Sequence, residues 1–135
     1  AYLNQRAKTV NCQVALYNHG DWFGEPANQV KIIETLPNED IGLIFNFHHA
    51  HPQIDRFPEI VDVMLPYLWS VNLNGMKADG PKILTIGKGE HEWAMIQTLL
   101  DKGYTGDFGI LGHLDEDVKL VLERNLAGLR ELIID

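Results

Sequence analysis

Four times along this chain an apolar, β-branched segment runs into a polar turn rich in His and Asn, and a helix-like segment follows each turn. The stretches are CQVALYNHG (Cys12 to Gly20), IGLIFNFHHAH (Ile41 to His51), LWSVNLNGM (Leu68 to Met76) and DFGILGH (Asp107 to His113). Strand, functional turn and helix repeated in this order is the pattern of a parallel α/β architecture, in which ligand chemistry gathers at the carboxyl ends of the strands. The second strand, Ile41 to Asn46, is almost wholly apolar, as a strand covered on both faces should be. The expected fold class is therefore α/β with a parallel sheet.

The segments between the strands carry helix signals. Glu25-Pro26 places proline in a first turn, Ala27, Val30, Ile33 and Leu36 then recur at helical spacing, and Pro37-Asn38 stops the run. Asp55 is the expected cap of a helix reaching Leu65, with Ile60, Val61, Met64 and Leu65 as its buried stripe and Pro66 ending it. A third helix is expected over residues 90–102, with Trp93, Ile96, Leu99 and Leu100 inward and Gly103 as C-cap. Asp115 is expected to open the last one, with Val118, Val121, Leu122, Leu126 and Leu129 on one face. The connection from Lys77 to Gly89 is longer and glycine-rich, and reads as a loop over the strand ends.

With 135 residues, of which 45% are hydrophobic, and no linker between the units, residues 1–135 are expected to form a single domain. The formal charge of −8, with no Lys/Arg cluster to reverse it locally, repels phosphate backbones and anionic lipid, so neither nucleic acid nor a membrane is an expected partner. No apolar run approaches the roughly 20 residues a membrane span needs. The opening AYLNQRAKTVN reads as the end of an amphipathic helix, and the single cysteine, Cys12, is expected to be a buried thiol in the first strand. Four strand–helix units are half of an eight-stranded barrel and leave two sheet edges unpaired. Two outcomes are expected: a missing N-terminal half-barrel, or a homodimer in which a second copy completes the sheet.

The strand-end turns YNHG and FNFHHAH, the phrase IGKGEHEW before a helix, and LLDKGYTGDFGILGH followed by NLAGL resemble the C-terminal half, strands five to eight, of a xylose isomerase-like TIM barrel, in the sugar phosphate isomerase/epimerase superfamily. The resemblance covers nearly the whole chain and implies a (βα)4 half-barrel. It implies a divalent metal held by Glu, Asp, His and Glu after successive strands, the two Glu also moving a proton between neighbouring carbons of a sugar. Aligned by motif, those positions fall on Tyr17, Asn46, Asn72 and Leu111 or Gly112, none of which is the expected ligand. Without the carboxylates a hard cation loses its counter-charge and the reaction its usual acid and base, so no residue is assigned to a metal and the cofactor is unassigned. His49, which in the resemblance follows the strand-six Asp position by three residues, is retained.

Around the same strand ends the sequence adds His19, His48, His51 and His113. Imidazoles there suit acid–base work near neutral pH or a softer metal, and the bland alternative is structural hydrogen bonding. His49 and His113 are the candidate catalytic pair. Tyr17, Asn18, His19, Trp22, Asn46, Asn72 and Asn74 are the candidate substrate-binding residues, because amides offer both donors and acceptors to sugar hydroxyls and Trp22 offers an apolar wall. Against this, strand-end asparagines often satisfy turn backbone, and Trp22 could simply plug the rim. Trp69 and Trp93 read as core. Glu90 and Glu92 read as helix-dipole partners, and Lys82 and Lys88, beside Gly87 and Gly89, as solvated lysines or a weak phosphate signal. The expected function is that of a sugar isomerase or epimerase acting on a small carbohydrate or polyol, the alternative being a non-catalytic carbohydrate-binding or assembly domain on the same scaffold.

Overall fold

The computed structural model describes residues 1–37 and 39–134, so that Asn38 of the Pro37-Asn38 stop signal lies outside the described residues. Its elements are α1 (Tyr2–Lys8), β1 (Val14–Tyr17), α2 (Pro26–Glu34), β2 (Ile41–Asn46), α3 (Phe57–Met64), β3 (Leu68–Leu73), α4 (Glu92–Asp101), β4 (Asp107–Ile110) and α5 (Val118–Ile134). The four strands form one sheet in the order β1-β2-β3-β4, and every pair is parallel. The α/β expectation is met: each strand is joined to its neighbour by a crossover that carries a helix.

Strand periodicity sorts the two faces. Leu43, Phe45, Val71 and Leu73 point to one side and join Val30, Ile60, Val61, Met64, Ile96 and Leu99 in the core beneath the helices. The alternate positions, Tyr17, Ile44, Asn46, Ser70 and Asn72, form the other face, the concave one in a barrel. Glycines make room on it. The position a Cβ would take at Gly42 is filled by the Trp69 indole at 2.0 Å, and at Gly109 by Asn72 Oδ1 at 2.5 Å. Trp69 thus lies across the inner face, at the place where the β2–β3 register shifts.

Several local expectations change. Asp55 caps nothing, because Phe47–Arg56 forms a 3₁₀ helix opened by Asn46, and α3 follows from Phe57 with Arg56 at its N-cap position. Asp115 does not open α5; instead Asp117 Oδ1 accepts the backbone N–H groups of Lys119 and Leu120, at 3.0 and 3.1 Å, as an N-cap does. Helix α4 is two residues shorter at its start than expected. Met95 is buried there while Leu100 faces out, and in α5 Val118 and Leu122 face out while Val121, Asn125 and Gly128 face in. Cys12 precedes β1, is exposed, and is not a core thiol.

The segment between β3 and α4 is held by designed contacts rather than draped loosely. Gly75 and Leu84 pair through backbone bonds of 3.0 and 2.7 Å, and the buried Asn74 donates to Gly75 O and Lys82 O. Glu92, 2% exposed, accepts the backbone N–H groups of Gly87 and Gly89 on one carboxylate oxygen, at 3.0 and 2.8 Å. From the far side Asn125 accepts the Ile86 N–H at 2.9 Å. Those bonds tie the segment down at Gly75, Lys82, Ile86, Gly87 and Gly89.

Candidate functional site at the C-terminal strand ends

The site is built where β1 and β2 end. Asn18, buried, reaches across to β2: its Oδ1 accepts the Asn46 N–H at 2.7 Å and its Nδ2 donates to the Asn46 carbonyl at 3.1 Å. This amide clamp continues the parallel ladder by one residue after β1 has turned away. Asn46 in turn accepts the His48 N–H on Oδ1 at 3.0 Å and donates from Nδ2 to the Tyr17 hydroxyl. That bond starts the 3₁₀ helix and thereby sets the direction of His48 and His49.

His49 is the hub. Its ring lies 5.6 Å from Tyr17, edge to face, and 4.6 Å from each of His19 and His48, centroid to centroid. Burial pushes its pKa down, and the neighbouring His48 and His19 push in the same direction. His48 is likewise lowered, first by burial and then by the charges of Lys82, His113 and His51, against a backbone hydrogen bond to Lys82 that raises it. Both rings are therefore neutral at neutral pH, the state in which an imidazole accepts a proton. His51 bonds the Lys77 carbonyl at 2.7 Å and ties the covering segment to the site.

The other sequence candidates divide. Asn72 sits beside Asn46 in the ladder, half-buried on the inner face, with no side-chain bond to another described residue, so its amide is free for a ligand. Asn18 and Asn74 are not free: both are wholly buried and bonded to backbone, so they shape the site and cannot reach a ligand. Trp22 is 58% exposed on the Asp21–Gly24 turn, at the rim, with Phe23 beside it. His113 is exposed in the turn after β4, where Gly112, Leu114 and Asp115 line a cleft with it, near enough to His48 for their charges to oppose one another. The Gly87-Lys88-Gly89 triplet is no phosphate cradle, because both glycine amides face Glu92 and Lys88 lies 3.9 Å from Glu131. Sequence reasoning missed that role of Glu92; the only signal was a glutamate three and five residues after two glycines.

The divalent metal that the sequence resemblance implies does not fit these residues. Of the positions aligned with its ligands, Asn46 is committed to Tyr17 and His48, and no carboxylate stands at any of them. Among the described residues, no three His, Cys, Asp or Glu side chains come together in a way that could hold a metal ion. The inner face at these strand ends is the bowl of a half-barrel, and His51 ties the segment after β3 to its rim. The cleft at His113 has a volume of about 520 Å³, and others of about 470, 440 and 380 Å³ lie at the opposite ends of the strands around Gln13, Asp40 and Trp69. Parallel α/β sheets place their chemistry at the carboxyl ends, where the imidazoles are, and those three clefts lie at the other end, beside the residues that precede the strands.

The fold matches solved barrels. No protein-family model and no curated protein matches the sequence. Over 99% of its length the chain superposes on 50% of the 3-keto-D-glucoside 4-epimerase YcjR from E. coli, with TM-score 0.75 and 16% identity. Over 98% it superposes on 52% of a D-psicose 3-epimerase from Clostridium cellulolyticum H10 solved with D-tagatose, with TM-score 0.70 and 14% identity. A third, a D-psicose 3-epimerase solved in the presence of D-fructose, matches over 96% of this chain and 51% of that one, at TM-score 0.72 and 14% identity. The chain spans about half the length of the structures it matches, and its fold is that of half a xylose isomerase-like TIM barrel.

Proposed function

We propose that the C-terminal strand ends bind a small carbohydrate carrying a hydroxyl beside a carbonyl, and that the site moves a proton between adjacent carbons as an epimerase or isomerase, without the family's divalent metal. The observation that carries this reading is the meeting of Tyr17, His19 and His49 at one strand end, beside the free amide of Asn72. In this reading His49, neutral and partly desolvated, takes the proton from carbon; His113, in the turn after β4, returns one. Tyr17, His19 and Asn72 hold ligand oxygens, Trp22 covers an apolar ring face, and Asn46 acts from beneath. Sugar epimerases of the same fold support the ligand class. A phosphate on the sugar has less support, since the glycine amides of the covering segment already have a partner.

The second reading is a non-catalytic carbohydrate-binding or assembly domain, favoured by the absence of paired carboxylates at the aligned positions. Solvent isotope exchange separates the two. In D2O with EDTA present, D-tagatose or D-fructose incubated with the active protein takes up deuterium beside its carbonyl, and His49→Ala stops the uptake. Binding with no deuterium uptake supports the second reading; neither binding nor uptake across a ketose and aldose panel contradicts both. The missing half of the barrel is proposed to be either a second copy or an N-terminal half-barrel, and the assay applies to whichever assembly forms.

A further inference from the structure

Asn46 is 1% exposed and has a partner on every polar atom. The atom of its amide that faces the His48 backbone N–H must be oxygen, because a backbone N–H can only donate. The amide is planar, so the opposite orientation would set its NH2 against that N–H and cost a buried bond. The Nδ2 group is thereby turned to the Tyr17 hydroxyl. An amide NH2 also only donates, so the phenol oxygen accepts and its single hydrogen must point elsewhere. Among the described residues nothing accepts that hydrogen. Tyr17 lies on the inner face with His49 against its ring, and its hydrogen is left for a partner other than the described side chains.

We infer that Asn46 is a positioning residue that fixes the Tyr17 hydroxyl as a hydrogen-bond donor toward a ligand oxygen in the bowl. The polarity is inherited from the 3₁₀ turn, through one side chain, and does not depend on what the ligand is. Its chemical use rests on the proposed function. When His49 removes the proton from a carbon beside a carbonyl, the C–H electron pair becomes a C=C bond and the carbonyl π pair moves to oxygen. Tyr17 donates to the oxygen on which that charge collects, a task otherwise given to a metal or an oxyanion hole. Reprotonation of carbon reverses the flow, so nothing is oxidised. Such a donor selects ligands that present a carbonyl or hydroxyl oxygen there and rejects an ammonium group.

Asn46→Asp tests this with almost no change of shape. Either Asp oxygen can accept the His48 N–H, but the other now accepts from Tyr17, turning the phenol hydrogen inward. The tyrosine Fermi doublet in the Raman spectrum, taken without ligand and read as the difference from Tyr17→Phe, moves from the acceptor to the donor side in Asn46→Asp. Affinity for D-tagatose, by calorimetry, falls roughly tenfold in both Asn46→Asp and Tyr17→Phe. An unchanged doublet in Asn46→Asp overturns the inference, as does sugar affinity that falls in Tyr17→Phe and is untouched in Asn46→Asp. If Asn46→Asp does not fold by circular dichroism, Asn46→Ala removes the donor and the doublet must still leave the acceptor side. A wild type that binds no sugar counts against the proposed function, while the ligand-free doublet still decides the orientation.

Discussion

His49 and His48 carry the residue-scale consequence of packing imidazoles together. Each has a folded-state pKa below the ordinary value near 6.5, chiefly through burial. A depressed histidine favours the folded state when neutral, so its contribution is present above about pH 6.5 and is lost as pH falls through the folded pKa. Urea unfolding at pH 7.5 and 5.5 is expected to show lower stability at the acid end, and His48→Gln to flatten that slope; an equal slope in the variant contradicts it. Gly42 gives a second expectation. A methyl group there would overlap the Trp69 indole, and Gly42→Ala is expected to cost about 1–3 kcal/mol in urea melts while shifting tryptophan fluorescence. At this scale the sequence marked the strand-end amides and imidazoles as a group, because they recur after each strand. It could not separate Asn72, which is free, from Asn18 and Asn74, which bond backbone, since that depends on which way each turn faces.

At the scale of elements, strands were legible, as was the start of α2 at Pro26, but the starts of α3, α4 and α5 were not. Runs such as Ile41–Asn46 announce themselves by continuous apolar character, and their parallel pairing follows from the intervening helices. Asp55 and Asp115 mislead because any aspartate before an apolar run resembles a cap. Which one caps is decided by whether the chain first makes a 3₁₀ turn, as it does from Phe47 to Arg56. The covering segment is held by residues distant in sequence, which no local pattern reveals. Glu92→Ala is expected to speed amide hydrogen exchange at Gly87 and Gly89 and to lower stability by about 1–3 kcal/mol, because it orphans two backbone donors. Unchanged protection at both amides would remove Glu92 from that role. Gly128 is the counterpart in α5: a Cβ there would lie 1.8 Å from the Ile86 carbonyl, so Gly128→Ala is expected to push the helix off the segment.

The whole molecule is a sheet with core on one face only. Among the described residues its outer edges, β1 and β4, pair with no further strand, and Phe108 on β4 is 38% exposed. An open parallel edge is a template for another strand. Sedimentation is expected to show concentration-dependent association that Phe108→Lys weakens; a species that stays monomeric at all concentrations contradicts this. The formal charge of −8 opposes association at low salt, so the effect should grow as salt screens it. The half-barrel nature was legible by counting strand–helix units, whereas which side chains meet at the strand ends is a property of the assembled sheet. The proposed site has a sugar lodged among Tyr17, His49 and Asn72 without a divalent metal. An NMR titration with D-tagatose in EDTA, following the imidazole signals of His19 and His49 and the Asn72 side-chain amide, reads this out. Saturable shifts at these three groups are expected, and shifts confined to Gln13, Asp40 and Trp69 at the opposite end would overturn the proposed site.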